Sequence, residues 1–107
     1  MRWWVEFSPR ALRSLKMLDK PTRAAIVQGL AGLADELSAG SSLAQVAANV
    51  TKLVGAEPAE WRLRSGDYRT RFRVDVRTAT DAESGQLTEE GIVVVTRLGH
   101  RRDVYRD

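Results

Sequence analysis

Trp61-Arg62-Leu63-Arg64-Ser65-Gly66-Asp67-Tyr68-Arg69-Thr70-Arg71-Phe72-Arg73-Val74 is a stretch in which apolar or hydroxylic side chains alternate with basic ones on both sides of a glycine. Successive side chains of a β-strand point to opposite faces, so a period of two marks a pair of strands. Gly66-Asp67 supplies the turn between them, since glycine accepts positive φ at no steric cost. The hairpin therefore has one face of Trp61, Leu63, Tyr68, Phe72 and Val74, which must be covered. Its other face carries Arg62, Arg64, Arg69, Arg71 and Arg73, accompanied by Glu60 and Asp75.

Downstream, residues 78–90 are polar, with Gly85 in their middle, and read as an extended hairpin loop. Ile92 to Leu98 is apolar on both faces, as a central strand is. Gly99-His100-Arg101-Arg102-Asp103-Val104-Tyr105 reads as a polar ending that hangs off that strand. Upstream, Pro58 closes a segment from Thr51 to Gly55, and residues 43–50 are small, apolar and without a diagnostic period. Ser38 to Ser42 is a loop by composition. Before it, Ile26, Leu30, Leu33 and Leu37 recur at helical spacing and define one buried face. Asp19-Lys20-Pro21 separates that helix from an earlier one, with Ser8 as N-cap, Pro9 at the first helical position and Leu12, Leu15 and Leu18 as its stripe. Trp3 to Phe7 is a first strand. Trp3, Trp4 and the outer helix faces are candidates for apolar purchase by a partner; filling the core or covering a sheet edge is the plainer role of the tryptophans, above all of Trp3, whose alternation partners are Val5 and Phe7. The pattern predicts an α+β fold of order β-α-α-β-β-β, a helical hairpin packed on one face of a small, mainly antiparallel twisted sheet, in a single domain spanning 1–107.

The chain has 107 residues, 43% of them apolar and 29% charged, which is ordinary globular composition. It has no cysteine, which excludes disulfide scaffolds and thiolate metal sites. A single histidine makes any metal site unexpected, and no glycine-rich phosphate loop is present. No cofactor is expected. Apolar runs reach four residues at most, as at Ile92 to Val95, and the apolar opening around Glu6 is too short for a signal peptide. A cytoplasmic protein with no membrane partner is the expectation. The net charge is +3 and the pI near 9.8, with Lys16, Lys20 and Lys52 the only lysines among 17 basic residues.

Five guanidinium groups on one sheet face repel one another, because like charges paired across strands destabilise. A phosphate backbone would relieve that cost: arginine forks match phosphate oxygens bidentately, and each neutralised phosphate releases counterions. A solvated amphipathic face is the plainer alternative. Cleaving RNA without metal needs a base for the 2′-hydroxyl proton, cations for the crowded phosphate and an acid for the leaving oxygen. Arginine suits the second role and is poor at the other two. His100, an imidazole able to trade protons near neutrality, and the Tyr105 phenol are candidates for those, beside Arg101 and Arg102 as further phosphate ligands. A lone histidine and a terminal tyrosine are also ordinary surface or packing residues.

Phe7-Ser8-Pro9-Arg10-Ala11-Leu12 with Leu15, Lys52-Leu53 with Gly55, Trp61 to Arg69, and Gly99 to Tyr105 together resemble the RelE/ParE superfamily of type II toxin–antitoxin toxins, in order and over nearly the whole chain. The segment 78–90 departs from it. Resemblance to the RelE branch implies a metal-independent, ribosome-dependent mRNA endoribonuclease that arrests translation, contacts 16S ribosomal RNA and is neutralised by a cognate antitoxin, in hetero-oligomers that bind operator DNA. By motif the resemblance implies Arg62, Arg69 and Arg101 as holders of the scissile phosphate, with His100, Tyr105 or Glu60 moving protons. Lys52, Arg64, Arg71, Arg73 and Arg102 are then RNA-binding residues. Glu60 stands where the family carries a basic residue, and a structural ion pair with the arginines is the alternative role for it. Two other functions stay open: a ParE-like toxin that inhibits DNA gyrase, and a catalytically degenerate RNA-binding relative.

Overall fold

The computed structural model describes residues 1–46 and 49–104 as a five-stranded sheet with two helices against one face. The elements are β1 (Arg2–Phe7), α1 (Pro9–Lys16), α2 (Lys20–Ser38), β2 (Val50–Lys52), β3 (Trp61–Ser65), β4 (Tyr68–Thr80) and β5 (Leu87–His100). Strand order is β1-β5-β4-β3-β2, with β1 parallel to β5 and every other pair antiparallel. The predicted fold is thus present with one addition, the three-residue β2. So short a strand lacks the length to show a period, and only pairing with β3 defines it.

Helix α2 buries Ile26, Leu30, Leu33 and Leu37, the face its spacing predicts. In α1 the buried residues are Ala11 and Leu15, while Leu12 faces outward, so its stripe lies one position earlier than the leucines suggest. These side chains meet Leu63, Phe72, Val93, Val95 and Leu98 in one cluster. Thr70, fully buried in that layer, finds no hydrogen-bond partner for its hydroxyl among the described residues. The Trp3 ring packs against the core and lies directly on Gly91, its neighbour across β1 and β5; a Cβ there would fall 2.2 Å from the ring. Among the described residues no helix is long and apolar enough to cross a membrane.

Two regions differ from the sequence expectation. The segment 78–90 is mostly strand, since β4 and β5 stay paired out to Thr80 and Leu87 and only residues 81–86 turn. At the tip the Asp81 carboxylate accepts the backbone N–H groups of Glu83 and Ser84, and Gly85 adopts φ 71°. These contacts hold the Asp81 carboxyl below its ordinary range. The arm runs beyond the helices, so both of its faces are wet and it has the polar composition of a loop. The polar segment from Gly99, expected to hang off that strand, stays in β5 through His100 and then turns, burying Val104.

One irregularity decides which side chains share a face. Arg71 stands opposite Arg97, yet the next residue, Phe72, stands opposite Val95, so Thr96 is an extra residue bulged out of β5. The Thr96 hydroxyl donates to the Arg71 carbonyl (3.2 Å), and the Thr96 carbonyl accepts from the Ser8 hydroxyl (3.1 Å). That same Ser8 oxygen accepts the Ala11 N–H as N-cap of α1, and the Ser8 N–H donates to the Val95 carbonyl. The start of α1 is therefore fastened to the bulge.

Candidate nucleic-acid interface

Residues directly opposite one another in an antiparallel pair project from the same face. The registers Arg62↔Arg71 and Arg71↔Arg97 therefore set three arginines in a row across β3, β4 and β5, on the face away from the helices. A second row holds Arg64 opposite Arg69. Arg97 enters only through the bulge. Without Thr96, strict alternation from Val93 and Val95 would have turned residue 97 inward. Because Ile92 and Val94 are apolar as well, the sequence conceals this change of parity, and Leu98 is its one trace.

The predicted residues are dispersed unequally around this row. Arg71 Nε donates to Glu60 Oε2 at 2.8 Å, an ion pair whose two side chains are mostly shielded from solvent. Glu60 thus has the ion-pairing role expected of it as the alternative to proton transfer. Arg69 folds back to donate to the Gly66 and Tyr68 carbonyls (2.7 and 3.1 Å), and Arg101 approaches Asp67 in the same turn, Nε to Oδ1 3.8 Å. Arg69 and Arg101 consequently converge on the β3–β4 turn. Arg73 lies one step along β4, 3.6 Å from the Asp75 carboxylate, and Arg102 is exposed in the turn after β5.

Two residues fall on the other side. Lys52 pairs with Trp61 across β2 and β3, and its ammonium lies 5.9 Å from the Trp61 ring centroid on the helix-facing side. His100 pairs with Tyr68, and their rings meet edge to face at 5.6 Å. The His100 Nδ1 accepts the Arg102 N–H (3.2 Å). Tyr105 lies outside the described residues.

Residues that sequence reasoning passed over complete the surface. A small cavity of about 70 Å³ is lined by Asn49, Thr51, Arg62 and Arg64, Thr51 extending the arginine row onto β2. Another, of about 190 Å³, opens where α1 meets the end of β5, between Arg10, Ser14, Arg97 and Asp103. Neither Asn49 nor Thr51 carries a signal in the sequence; their place follows from β2 alone. Chemically, the surface can hold a run of phosphates with guanidinium forks, and Glu60 is the carboxylate bonded to the central row.

The other end of the same face is neutralised from within. Arg77 forms a two-pronged pair with Glu6, spanning β5 from β4 to β1, and Arg2 lies over the Trp4 ring at 4.3 Å. The pair holds the Glu6 carboxyl below its ordinary range and raises Arg77.

A family described as the ParE toxin of type II toxin–antitoxin systems, parDE, matches residues 5–105. Among solved structures, a chain of the RelBE2 toxin–antitoxin complex from Mycobacterium tuberculosis is similar, at 25% identity and a TM-score of 0.57, over 94% of this chain and 100% of that one. No curated protein matches.

Proposed function

Because the chain belongs to the ParE toxin family of type II toxin–antitoxin systems, within the RelE/ParE superfamily, we propose that it arrests growth by cutting mRNA on the ribosome and is held inactive by a cognate antitoxin. The row Arg62–Arg71–Arg97 carries this reading. Three guanidinium groups gathered in one row, with Glu60 on the middle one, outnumber the carboxylate beside them, and they would stabilise the extra charge of a phosphorane better than the single charge of the ground state. Arg64, Arg69, Arg73 and Arg101 extend the grip along the strand, and Arg102 and Lys52 act at the margin.

In the cleavage step the 2′-oxygen attacks phosphorus, its proton passes to a base, and the departing 5′-oxygen takes a proton from an acid. Glu60 adjoins the row and is the base best placed for the first transfer, released from Arg71 as phosphate replaces it. His100 and Tyr105 serve the leaving group from the chain end, with His100 reaching around the strand terminus from the helix side. A second reading is supported by the same His100 placement and by the family description: a toxin that inhibits DNA gyrase needs the basic surface and no proton relay.

Induced expression in a bacterial host separates them. Mapping mRNA 5′ ends should reveal new cuts within translated codons, absent when translation is blocked. Intact mRNA with gyrase-dependent double-strand breaks would establish the second reading, and unimpaired growth would remove both in favour of a degenerate RNA binder. Glu60→Gln, His100→Gln and Tyr105→Phe then assign the proton carriers, and a variant that retains full cleavage leaves the list.

A further inference from the structure

We propose that Trp4 is a base-stacking platform: an RNA strand gripped through its phosphates by the arginine row lays one base, a few nucleotides along, on the exposed Trp4 ring. The proposal rests on the RNA-binding reading of that row and adds an uncharged point of contact to it. Register puts ring and row on the same side. Trp4 stands beside Ile92 in the β1–β5 pair, and Ile92 stands opposite Asp75 in the β4–β5 pair. Along β4, Asp75 shares its face with Arg73 and Arg71, because side chains two apart in a strand point the same way. Trp3, Phe7, Trp61, Tyr68 and Phe72 all turn toward the core under the helices. Among the described residues, Trp4 is thus the one phenylalanine, tyrosine or tryptophan ring on the arginine face. It is 44% exposed, while Ile92 beside it is 3% exposed, so the ring adjoins an apolar floor that no helix covers.

The charges around the ring suit a base better than a phosphate. Arg77 is bound to Glu6 and Arg73 lies against Asp75, so cations and carboxylates are matched within this end of the face. A phosphate gains little there, whereas a base carries no charge and needs only a flat apolar partner. Arg2 lies over the Trp4 ring at 4.3 Å, so the ring face already takes a planar, delocalised group. An exposed guanidinium holds such a place weakly, and a base stacked on an aromatic side chain gains more. The base replaces Arg2 on the ring, and Arg2, itself exposed, returns to solvent. Four residues along the sheet and one strand across separate Trp4 from Arg97, about 14 Å. A few nucleotides of extended strand bridge that span. Since every base has a stacking face, the site accepts any of them.

Titration with a 2′-O-methyl oligoribonucleotide of about eight residues, which cannot be cut by its own 2′-oxygen, tests the proposal. Trp4→Ala should weaken binding about tenfold and leave the slope of log affinity against log salt unchanged, since no phosphate contact is lost. Trp4→Phe keeps an aromatic face and should bind within about threefold of the parent. It should nevertheless lose the tryptophan quenching that accompanies binding in the parent. An oligomer of the same length with phosphates and sugars but no bases should bind the parent and Trp4→Ala equally. That comparison alters the ligand alone, and thermal unfolding of each variant reports whether its fold persists. If the parent binds no oligonucleotide, the RNA-binding reading of the row falls and this proposal with it. If binding is abolished by replacing Arg62, Arg71 and Arg97 with alanine but is indifferent to Trp4→Ala, the row stands and the platform is overturned, leaving the ring to a protein contact. A loss in Trp4→Ala that persists with the baseless oligomer also overturns it.

Discussion

Arginines at the two ends of one sheet face meet opposite fates. Near the β3–β4 turn, Arg62, Arg71 and Arg97 are stacked across three strands with Glu60 bound to the middle one. Toward the arm, Arg77 is clasped by Glu6, and Arg2 is spread over Trp4. Both ends are built on the same pleat, and each arginine is an ordinary strand residue. What differs is the cross-strand neighbour that the register supplies: Arg71 stands opposite arginines on both sides, with Glu60 beside it, whereas Arg77 is met by Glu6 and Arg2 by a ring. Arginine content alone therefore says little about function, and the register between strands says which guanidinium groups are gathered on one patch.

The largest expected effect attacks that asymmetry directly. Replacing Arg62, Arg71 and Arg97 together by alanine should weaken binding to single-stranded RNA about a thousandfold, at roughly 1.5 kcal/mol for each charge-assisted contact. It should also flatten the slope of log affinity against log salt by about 2, near 0.7 per phosphate lost. Arg2→Ala with Arg77→Ala, measured by the same titration, should leave the slope unchanged. Equal losses from the two sets would erase the distinction between the ends.

A steric change sharpens it from the arm side. Gly91→Ala drives a Cβ into the Trp3 ring and should cost about 3 kcal/mol in urea unfolding. The arginine row is built on other pairs, so RNA affinity of the folded fraction should stay the same.

Ser8 makes the reverse case. It caps α1 and holds the bulge that brings Arg97 into line, so Ser8→Ala should cost about 1 kcal/mol of stability. It should lower RNA affinity as well, and Ser8→Thr, which keeps the hydroxyl, should restore both. A stability loss with unchanged affinity would show that the cap matters and the bulge does not.

The smallest effect concerns the arm tip. Asp81 has a folded pKa below its unfolded value, so its contribution is present above the ordinary aspartate range and is lost as pH falls through the lowered value. Amide resonances of Glu83 and Ser84 should shift together only in that acid range, and Asp81→Asn should abolish the transition. Since the group is solvent-exposed, global unfolding should scarcely register it.

Much of the fold could be read without coordinates. Alternation around Gly66, the four apolar positions of α2 and the Ser8-Pro9 helix start are local signals whose spacing mirrors the structure they form. Strand β2 was not legible, being too short to have a period. The β4–β5 arm was misread because polar residues on a two-sided, uncovered hairpin look like a loop. At the candidate site, the arginine faces of β3 and β4 were legible, and so was the possible Glu60 ion pair. Arg97, Asn49, Thr51 and Arg10 were not, and His100 and Lys52 proved to lie across the sheet from the row.

From its order of residues alone, this chain determined that it would form helices and strands with one basic hairpin face, because those preferences act between residues near in sequence. Only the tertiary structure decided that Arg97 joins Arg62 and Arg71 while Arg77 is neutralised. Those outcomes depend on one extra residue at Thr96 and on which strand lies beside which, and strand register is fixed by packing between residues far apart in the chain.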